Sequence, residues 1–316
     1  MDFLVNFLLL ALSLSILIWG ADKFIDNASI IAKKLGINEL TIGLTVVALG
    51  TSAPEIFVGI SSIVNNTEVL AMGAVVGSNI SNIALIFGVS CIGITLVPHK
   101  TKFIQFIPFL LSAVLLGYAL YDLKISSIES ILMLIVFIYF LFVIFKNKSS
   151  EVLISDVLPS DSNSIYLTAM LIVGLIALVI GSNYAVVYAE KIAILLNISE
   201  VIIGLTIIAI GTSLPELAAT ISAVLKNKTD MVVGNVIGSN VLNITLVVPI
   251  IGFFSNTQLD QMLFERDYLV MIILSILFTI LAIQFMHTAS INFIRLIGLL
   301  LIFGYIGYIL SLSGLI

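Results

Sequence analysis

The amino-acid sequence predicts an all-α membrane protein: ten transmembrane helices arranged as two inverted five-helix repeats. Three observations lead there. Of the 316 residues, 60% are hydrophobic and only 10% charged, where a soluble domain carries about a quarter charged residues. The apolar residues gather into runs of about 20, the length a helix needs to cross a bilayer. The second half of the chain also repeats the first at a constant spacing, so that Thr51 pairs with Thr212, Ser78 with Ser239 and Asn82 with Asn243, each 161 positions on.

The runs fall near 4–20, 40–64, 69–92, 103–121, 126–145, 165–189, 201–225, 231–254, 267–286 and 293–312. None shows the alternation of a membrane-barrel strand, and their length favours helix. The first run opens Met1-Asp2 without a basic flank and its pattern recurs in the second half, so it is read as a permanent helix rather than a signal peptide. The second, third, seventh and eighth runs carry Gly, Pro, Ser, Thr and Asn where the others carry Leu, Ile, Val and Phe. These four are expected to be broken helices that form an ion site.

From Leu35 to Asn82, about 22 of 48 positions are identical to the second copy without a gap, which marks a duplication. Five helices per copy means that the second enters the membrane from the opposite side, the inverted plan of many secondary transporters. The expected division is 1–148 for the first repeat, 149–164 for a linker and 165–316 for the second repeat. Ten of the basic residues follow odd-numbered helices (Lys23, Lys33, Lys34, Lys100, Lys102, Lys146, Lys148, Lys226, Lys228 and Arg295), against Lys124, Lys191 and Arg266 on the other side. That asymmetry places the linker in the cytoplasm and both termini outside. Asp22 and Lys23 read as a solvated face or a gate, Glu39 and Glu200 as acids at helix N-termini or cation attractors, and the single Cys91 as packing.

The chemistry is concentrated in GTSAPE (50–55) and its copy GTSLPE (211–216). A carboxylate at mid-membrane costs about 2.5–3.5 kcal/mol on insertion scales, so it normally faces a polar cavity. Pro54 lacks an amide hydrogen and crowds the carbonyl of Gly50, with Ala48 and Thr51 in the same disturbed turn. Pro215 does the same near Ala209 and Thr212. Thr51 and Glu55 share a helix face at a spacing of four, as do Thr212 and Glu216. In GAVVGSNISN and GNVIGSNVLN, Ser78 with Asn82 and Ser239 with Asn243 share a face, while Gly73, Gly77, Gly234 and Gly238 permit close helix approach. Pairing the halves brings Glu55 and Glu216 together among hydroxyl, amide and carbonyl oxygens, and the neighbouring motif serines Ser52 and Ser213 are expected to face the site less directly. These hard donors suit Ca²⁺, and Na⁺ accepts similar oxygens.

GTSAPE with GSNISN, and GTSLPE with GSNVLN, resemble the α-repeats of the sodium/calcium exchanger family, among the calcium/cation antiporters, and in particular its small prokaryotic members. The resemblance covers nearly the whole chain. It implies Na⁺/Ca²⁺ exchange by alternating access, with the first and sixth helices sliding across an eight-helix core and three sodium ions exchanged electrogenically for one calcium. It also implies Glu55 and Glu216 as central Ca²⁺ ligands, assisted by the carbonyls of Thr51 and Thr212. Ala48, Ala209, Ser78, Ser239 and the threonine hydroxyls would complete the flanking Na⁺ subsites. Some relatives carry Asp where Asn243 stands here, so no third acid and no potassium dependence are expected. Ala74 stands opposite Asn235, leaving a role for that amide open.

The alternative is Ca²⁺/H⁺ antiport, since a carboxylate pair can trade a divalent ion for protons. A channel would need no duplicated occluded site. A hydrolase using Ser52 or Ser213 lacks a His or Lys base at membrane depth. The chain is therefore expected not to be an enzyme, with no cofactor and no catalytic residue. Its expected partners are Na⁺, Ca²⁺ and the lipid bilayer of the cell membrane, with no nucleic acid and no protein partner implied.

Overall fold

The computed structural model describes residues 2–93, 103–146, 164–196, 211, 213–255, 257–285 and 290–312. Among them every regular element is helical. In chain order they are α1 (Asp2–Lys34), α2 (Glu39–Thr51), α3 (Ala53–Asn65), α4 (Glu68–Gly93), α5 (Phe103–Leu120), α6 (Ser127–Lys146), α7 (Ser164–Leu195), α8 (Leu214–Leu225), α9 (Thr229–Phe254), α10 (Leu263–Ile283) and α11 (Ile291–Leu312). Eight of these are long and apolar enough to cross a membrane, or nine when the bent α2–α3 pair counts as one span. The seventh expected run is described only as α8, because residues 201–210 lie outside the described set, as do 149–163 of the expected linker and the two histidines.

Burial separates a centre from a periphery. The most apolar windows of α9 and α4 are 83% and 67% buried, those of α1 and α7 only 17% and 22%. On α1 the buried apolar side chains are Leu17, Ala21, Phe24, Ile25, Ala28 and Ala32, recurring at helical spacing, while Phe7, Leu8, Leu12 and Ile18 point outward. An apolar outer face is what lipid requires. α1 and α7 make the most extensive helix contact among the described residues. Their backbones nearly touch: a Cβ on Gly20 would sit 2.5 Å from the Leu178 nitrogen, and one on Gly181 would sit 2.5 Å from the Leu17 nitrogen. Each contact is the image of the other at the 161-residue spacing.

The cytoplasm-facing end expected for α1 is tied to the α8–α9 turn. Lys226 pairs with Asp22 and with Asp26 at 2.7 Å, while Lys228 bonds Ser29 and meets Glu39 at 3.3 Å. Asp22 is thus both solvated and paired, an ion-pair member on a half-exposed face. Glu39 opens α2 behind the cap Asn38, whose side chain accepts the Thr41 amide at 2.8 Å.

The chain bends by 43° between α2 and α3. Pro54 and Pro215 each sit in the first turn of the helix after a serine held just outside helical geometry, Ser52 at φ −84°, ψ 4° and Ser213 at φ −94°, ψ 6°. Those helices are followed by left-handed asparagines at matching positions, Asn66 (φ 54°) and Asn227 (φ 57°).

The third and eighth helices depart from expectation: α4 and α9 are continuous rather than broken. Each instead widens into a π-helical turn at the same place in its copy, Asn82–Phe87 and Asn243–Val247. α4 contains no proline, so nothing removes a rung of its ladder. In α9 the wide turn precedes Pro249 and supplies slack for the ring. Small residues then seat α9 on α2, where a Cβ on Gly234 would lie 2.5 Å from the Leu40 oxygen and one on Gly238 2.5 Å from the Ala48 Cβ. The apolar core closes around these helices, with Phe278 edge-on to Phe87 at 4.8 Å and to Phe109 at 5.9 Å.

Gly20→Val and Gly181→Val should each force α1 and α7 apart, costing about 1–3 kcal/mol and lowering the unfolding midpoint in detergent. Gly304→Ala, at an exposed position with nothing within 4 Å, should leave it unmoved.

Candidate functional site

The break at Ser52 and the one preceding α8 place two carboxylates at the start of new helices deep in the fold. Glu55 is 4% exposed and Glu216 1%, and the two lie within electrostatic range of each other. An unpaired buried carboxylate costs on the order of several kcal/mol, so each needs oxygen-bound hydrogens or a cation. Ser78 on α4 donates to Glu55 Oε1 at 3.4 Å. Ser52 donates across the halves to Glu216 Oε1 at 3.3 Å. Both bonds exceed the usual 2.5–3.0 Å for O–H···O, so little is lost when the hydroxyl lone pairs turn towards an ion. The second oxygens, Glu55 Oε2 and Glu216 Oε2, are buried without a hydrogen-bond partner.

Backbone oxygens join this set. Because Pro54 carries no amide hydrogen, the Gly50 carbonyl loses its helical partner, and the ladder crosses the break as Ser52 N–H to Ala48 O at 2.9 Å and Ile56 N–H to Ser52 O at 3.2 Å. In the second copy the carbonyl of Gly211 is taken by Ser182 Oγ of α7 at 3.2 Å. The matching residue of α1 is Ala21, which has no donor.

The hydroxyls are held by a polar network. Thr51 Oγ1 reaches the Ala48 oxygen and Asn235 Oδ1, each at 3.4 Å, and Asn235 donates to Thr220 Oγ1 at 3.1 Å. Ser213 does not meet a carboxylate but shares a 2.6 Å bond with Ser81. Ser239 is fully buried and its hydroxyl has no partner. Asn82 Nδ2 donates to Asn240 Oδ1 at 3.2 Å, and Asn243 Nδ2 donates to Asn79 Oδ1 at 3.3 Å. A cavity of about 20 Å³ lies against Pro54, Glu55, Val58, Ala71, Ala74 and Val75, room for roughly one water-sized particle. It opens where the first copy has Ala74 and the second has the longer Asn235.

The described residues therefore place Glu55, Glu216, Thr51, Ser52, Ser78 and the Ala48 carbonyl in one connected region, with Asn82, Asn243, Ser213 and Ser239 on the adjoining faces of α4, α8 and α9. Thr212 and Ala209 lie outside the described residues. Sequence reasoning passed over Asn79, Ser81, Ser182, Thr220 and Asn240, and left Asn235 open. Asn79 and Asn240 recur at the duplication spacing and were detectable. Ser81, Asn235, Thr220 and Ser182 occur in one copy each, so repetition gives no signal for them. Among the described residues no three Asp, Glu, His or Cys side chains converge as a metal cluster. The charge of the site therefore rests on two carboxylates, and every other candidate donor is a neutral oxygen.

The family model described as sodium/calcium exchanger protein matches residues 5–146 and 166–314. The chain is 35% identical to the putative antiporter CaxA of Alkalimonas amylolytica, over 96% of this chain and 98% of the relative. It is 34% identical to the inner membrane protein YrbG of Escherichia coli, over 86% of this chain and 87% of the relative. A structure of the sodium-calcium exchanger NCX_Mj, soaked with Na⁺ and Sr²⁺, superposes with a TM-score of 0.81 at 30% identity and covers 98% of this chain and 99% of that one.

Replacing Asn235 by Leu should remove the amide bond to Thr220 Oγ1 and leave Thr51 Oγ1 only the Ala48 carbonyl, costing about 1–3 kcal/mol. The measurement is a drop in the detergent unfolding midpoint relative to wild type.

Proposed function

This chain belongs to the sodium/calcium exchanger family, a family of membrane antiporters, and on that premise we propose that it exchanges Na⁺ for Ca²⁺ electrogenically by alternating access. The observation that carries the reading is the pair Glu55 and Glu216, both buried, each with one oxygen held by a serine and one unpartnered. Two negative charges in a dry site match one Ca²⁺, and the surrounding neutral oxygens replace the water that the ion sheds. Na⁺ would occupy the flanking positions offered by Ser78, Ser239, Asn82, Asn243, Ser52, Ser213, the Thr51 and Thr212 hydroxyls and the Ala48 and Ala209 carbonyls. When Na⁺ and Ca²⁺ cannot hold the same carboxylates at once, the cycle runs as exchange.

Two inverted five-helix halves, 1–148 and 165–316, are the proposed frame. Contacts that recur as their own images support it: Gly20 with Leu178 and Gly181 with Leu17, Asn82 with Asn240 and Asn243 with Asn79. α1 and α7, packed on each other and least buried in the fold, are the pair proposed to slide. The cytoplasmic side is taken as the one bearing Lys226 and Lys228, and their bonds to Asp22, Asp26 and Glu39 support grouping the basic loops at one end. That puts the linker in the cytoplasm and both termini outside.

The rival coupling ion is the proton, favoured by the unpartnered Oε2 atoms, either of which could carry one. Purified protein in liposomes loaded with Na⁺ should take up radiolabelled calcium when diluted into Na⁺-free buffer, and an inside-positive potential should speed that uptake, because three Na⁺ leaving for each Ca²⁺ entering carries one net positive charge out. Glu55→Gln and Glu216→Gln should each reduce it to background. Uptake that follows an outward proton gradient and ignores Na⁺ would select the rival; full uptake by either mutant would remove the site.

A further inference from the structure

Four buried asparagines cross between α4 and α9 in a pattern that the proposed ion site leaves unexplained. Asn82 gives its amide N–H to Asn240 Oδ1, and Asn243 gives its own to Asn79 Oδ1. In both pairs the receiving residue precedes its helix's π-turn by three positions and the donor opens it. Each donor then has its Oδ1 buried without a hydrogen-bond partner. Asn82 lies one helical turn beyond Ser78, the serine that holds Glu55, so its free oxygen shares the face of α4 that meets the carboxylates. An asparagine amide is nearly symmetric in shape. Turned over, it would present two N–H donors to a cation and repel it. Something has to choose the end that faces inward.

Resting on the ion-site reading above, we infer that Asn79 and Asn240 are positioning residues: each accepts the amide N–H of the asparagine on the opposite helix and thereby aims that residue's oxygen at the transported cation. The bonds run between the two copies, so neither helix sets its own asparagine. The Asn79 side is also anchored from behind. Its Nδ2 faces the Met271 sulfur at 3.7 Å, which fixes the end of Asn79 that is left for Asn243. At the matching position of the first copy stands Leu110, which has no acceptor, and Asn240 Nδ2 has no partner. The two locks are therefore unequal, and the Asn79–Met271 side is the stiffer one. Partners that orient metal ligands typically contribute 10–100-fold to metal affinity.

The test is equilibrium binding of radiolabelled calcium to the full-length protein in detergent, with the unfolding midpoint recorded for every variant. Asn79→Leu and Asn240→Leu should each weaken binding roughly tenfold. Asn79→Leu should add less than about twofold once Asn243→Leu is in place, and Asn240→Leu should add equally little to Asn82→Leu, because each acts through its partner. The within-helix pairs, Asn79 with Asn82 and Asn240 with Asn243, should combine multiplicatively. Met271→Leu keeps the volume and the fold and should weaken binding about threefold only while Asn243 is present, so the inference stays testable should Asn79→Leu not fold. Multiplicative losses in the cross-helix pairs, or wild-type binding by both single variants, would overturn it. Loss of binding in Glu55→Gln alongside either of those results would leave the exchanger reading standing. Retained binding in Glu55→Gln would instead remove the exchanger reading, and this inference with it.

Discussion

Glu55 and Glu216 bring two negative charges within range of each other in a part of the fold from which water is almost wholly excluded. Desolvation opposes each charge and repulsion opposes the pair. Among the described residues no lysine or arginine forms an ion pair with either carboxylate. Lys226 and Lys228 are engaged with Asp22, Asp26 and Glu39 at the helix ends. The compensating charge has to come from outside, and a group that must be filled from outside can also be emptied. Neutral oxygens complete the site without settling its charge. Serine hydroxyls held at 3.3 and 3.4 Å stay close to the carboxylates while remaining able to turn.

Reaching those carboxylates from the opposite half requires helix backbones to come nearly into contact. Gly234 and Gly238 let α9 settle onto α2, which places Thr51 close enough to bond Asn235, while Ser52 at the end of α2 bonds Glu216 of α8. A larger residue at either glycine would widen the gap by more than those bonds can stretch. The same device joins α1 to α7 at the periphery, with a different consequence. Lipid tails are as apolar as the side chains they cover, so moving α1 and α7 together along the core exchanges one apolar neighbour for another. In the proposed cycle the resistance to sliding would come from polar contacts: Ser182 on the Gly211 carbonyl and Lys226 on Asp22 and Asp26.

Much of this was legible in the sequence because duplication writes each functional residue twice. GTSAPE and GTSLPE announced both carboxylates and the proline-marked bend between α2 and α3; of the four glycines expected to pack closely, Gly234 and Gly238 do, whereas a Cβ on Gly73 or Gly77 would meet nothing within 4 Å. The continuity of α4 and α9 was not legible. Polar, glycine-rich composition looks alike whether a helix breaks or only widens by one residue, and the outcome turns on whether a proline removes a hydrogen bond or the ladder can shift register. The network behind the site was harder still. Ser81, Thr220 and Asn235 each lack a matching polar residue in the other copy, and a hydroxyl or amide in an apolar helix reads the same whether it faces a carboxylate or its own backbone. Distances across helices carry that information, and no local pattern encodes them.

The departures from two-fold symmetry have a limited but definite meaning. Lys226 finds Asp22 and Asp26, whereas their counterparts one copy away are Asn65, Asn183 and Val187, which cannot form an ion pair. Ser182 has Ala21 as its counterpart, and Asn235 has Ala74. Lys226 ties α1 to α8 and Ser182 ties α7 to Gly211, whereas Asn235 ties α9 to α2 and α8, each without an equal contact at the matching position of the other copy. In the proposed cycle such a bias would set which state the protein rests in and how fast each half-cycle runs. It cannot set the direction of net transport, because a difference in conformational stability cancels over a closed cycle and only the ion gradients remain. In the proposed cycle the symmetric residues therefore bear on what is exchanged, and the asymmetric ones bear on the resting state and the rate. The carboxylates and cross-helix asparagines fall in the first group; Lys226, Ser182 and Asn235 fall in the second.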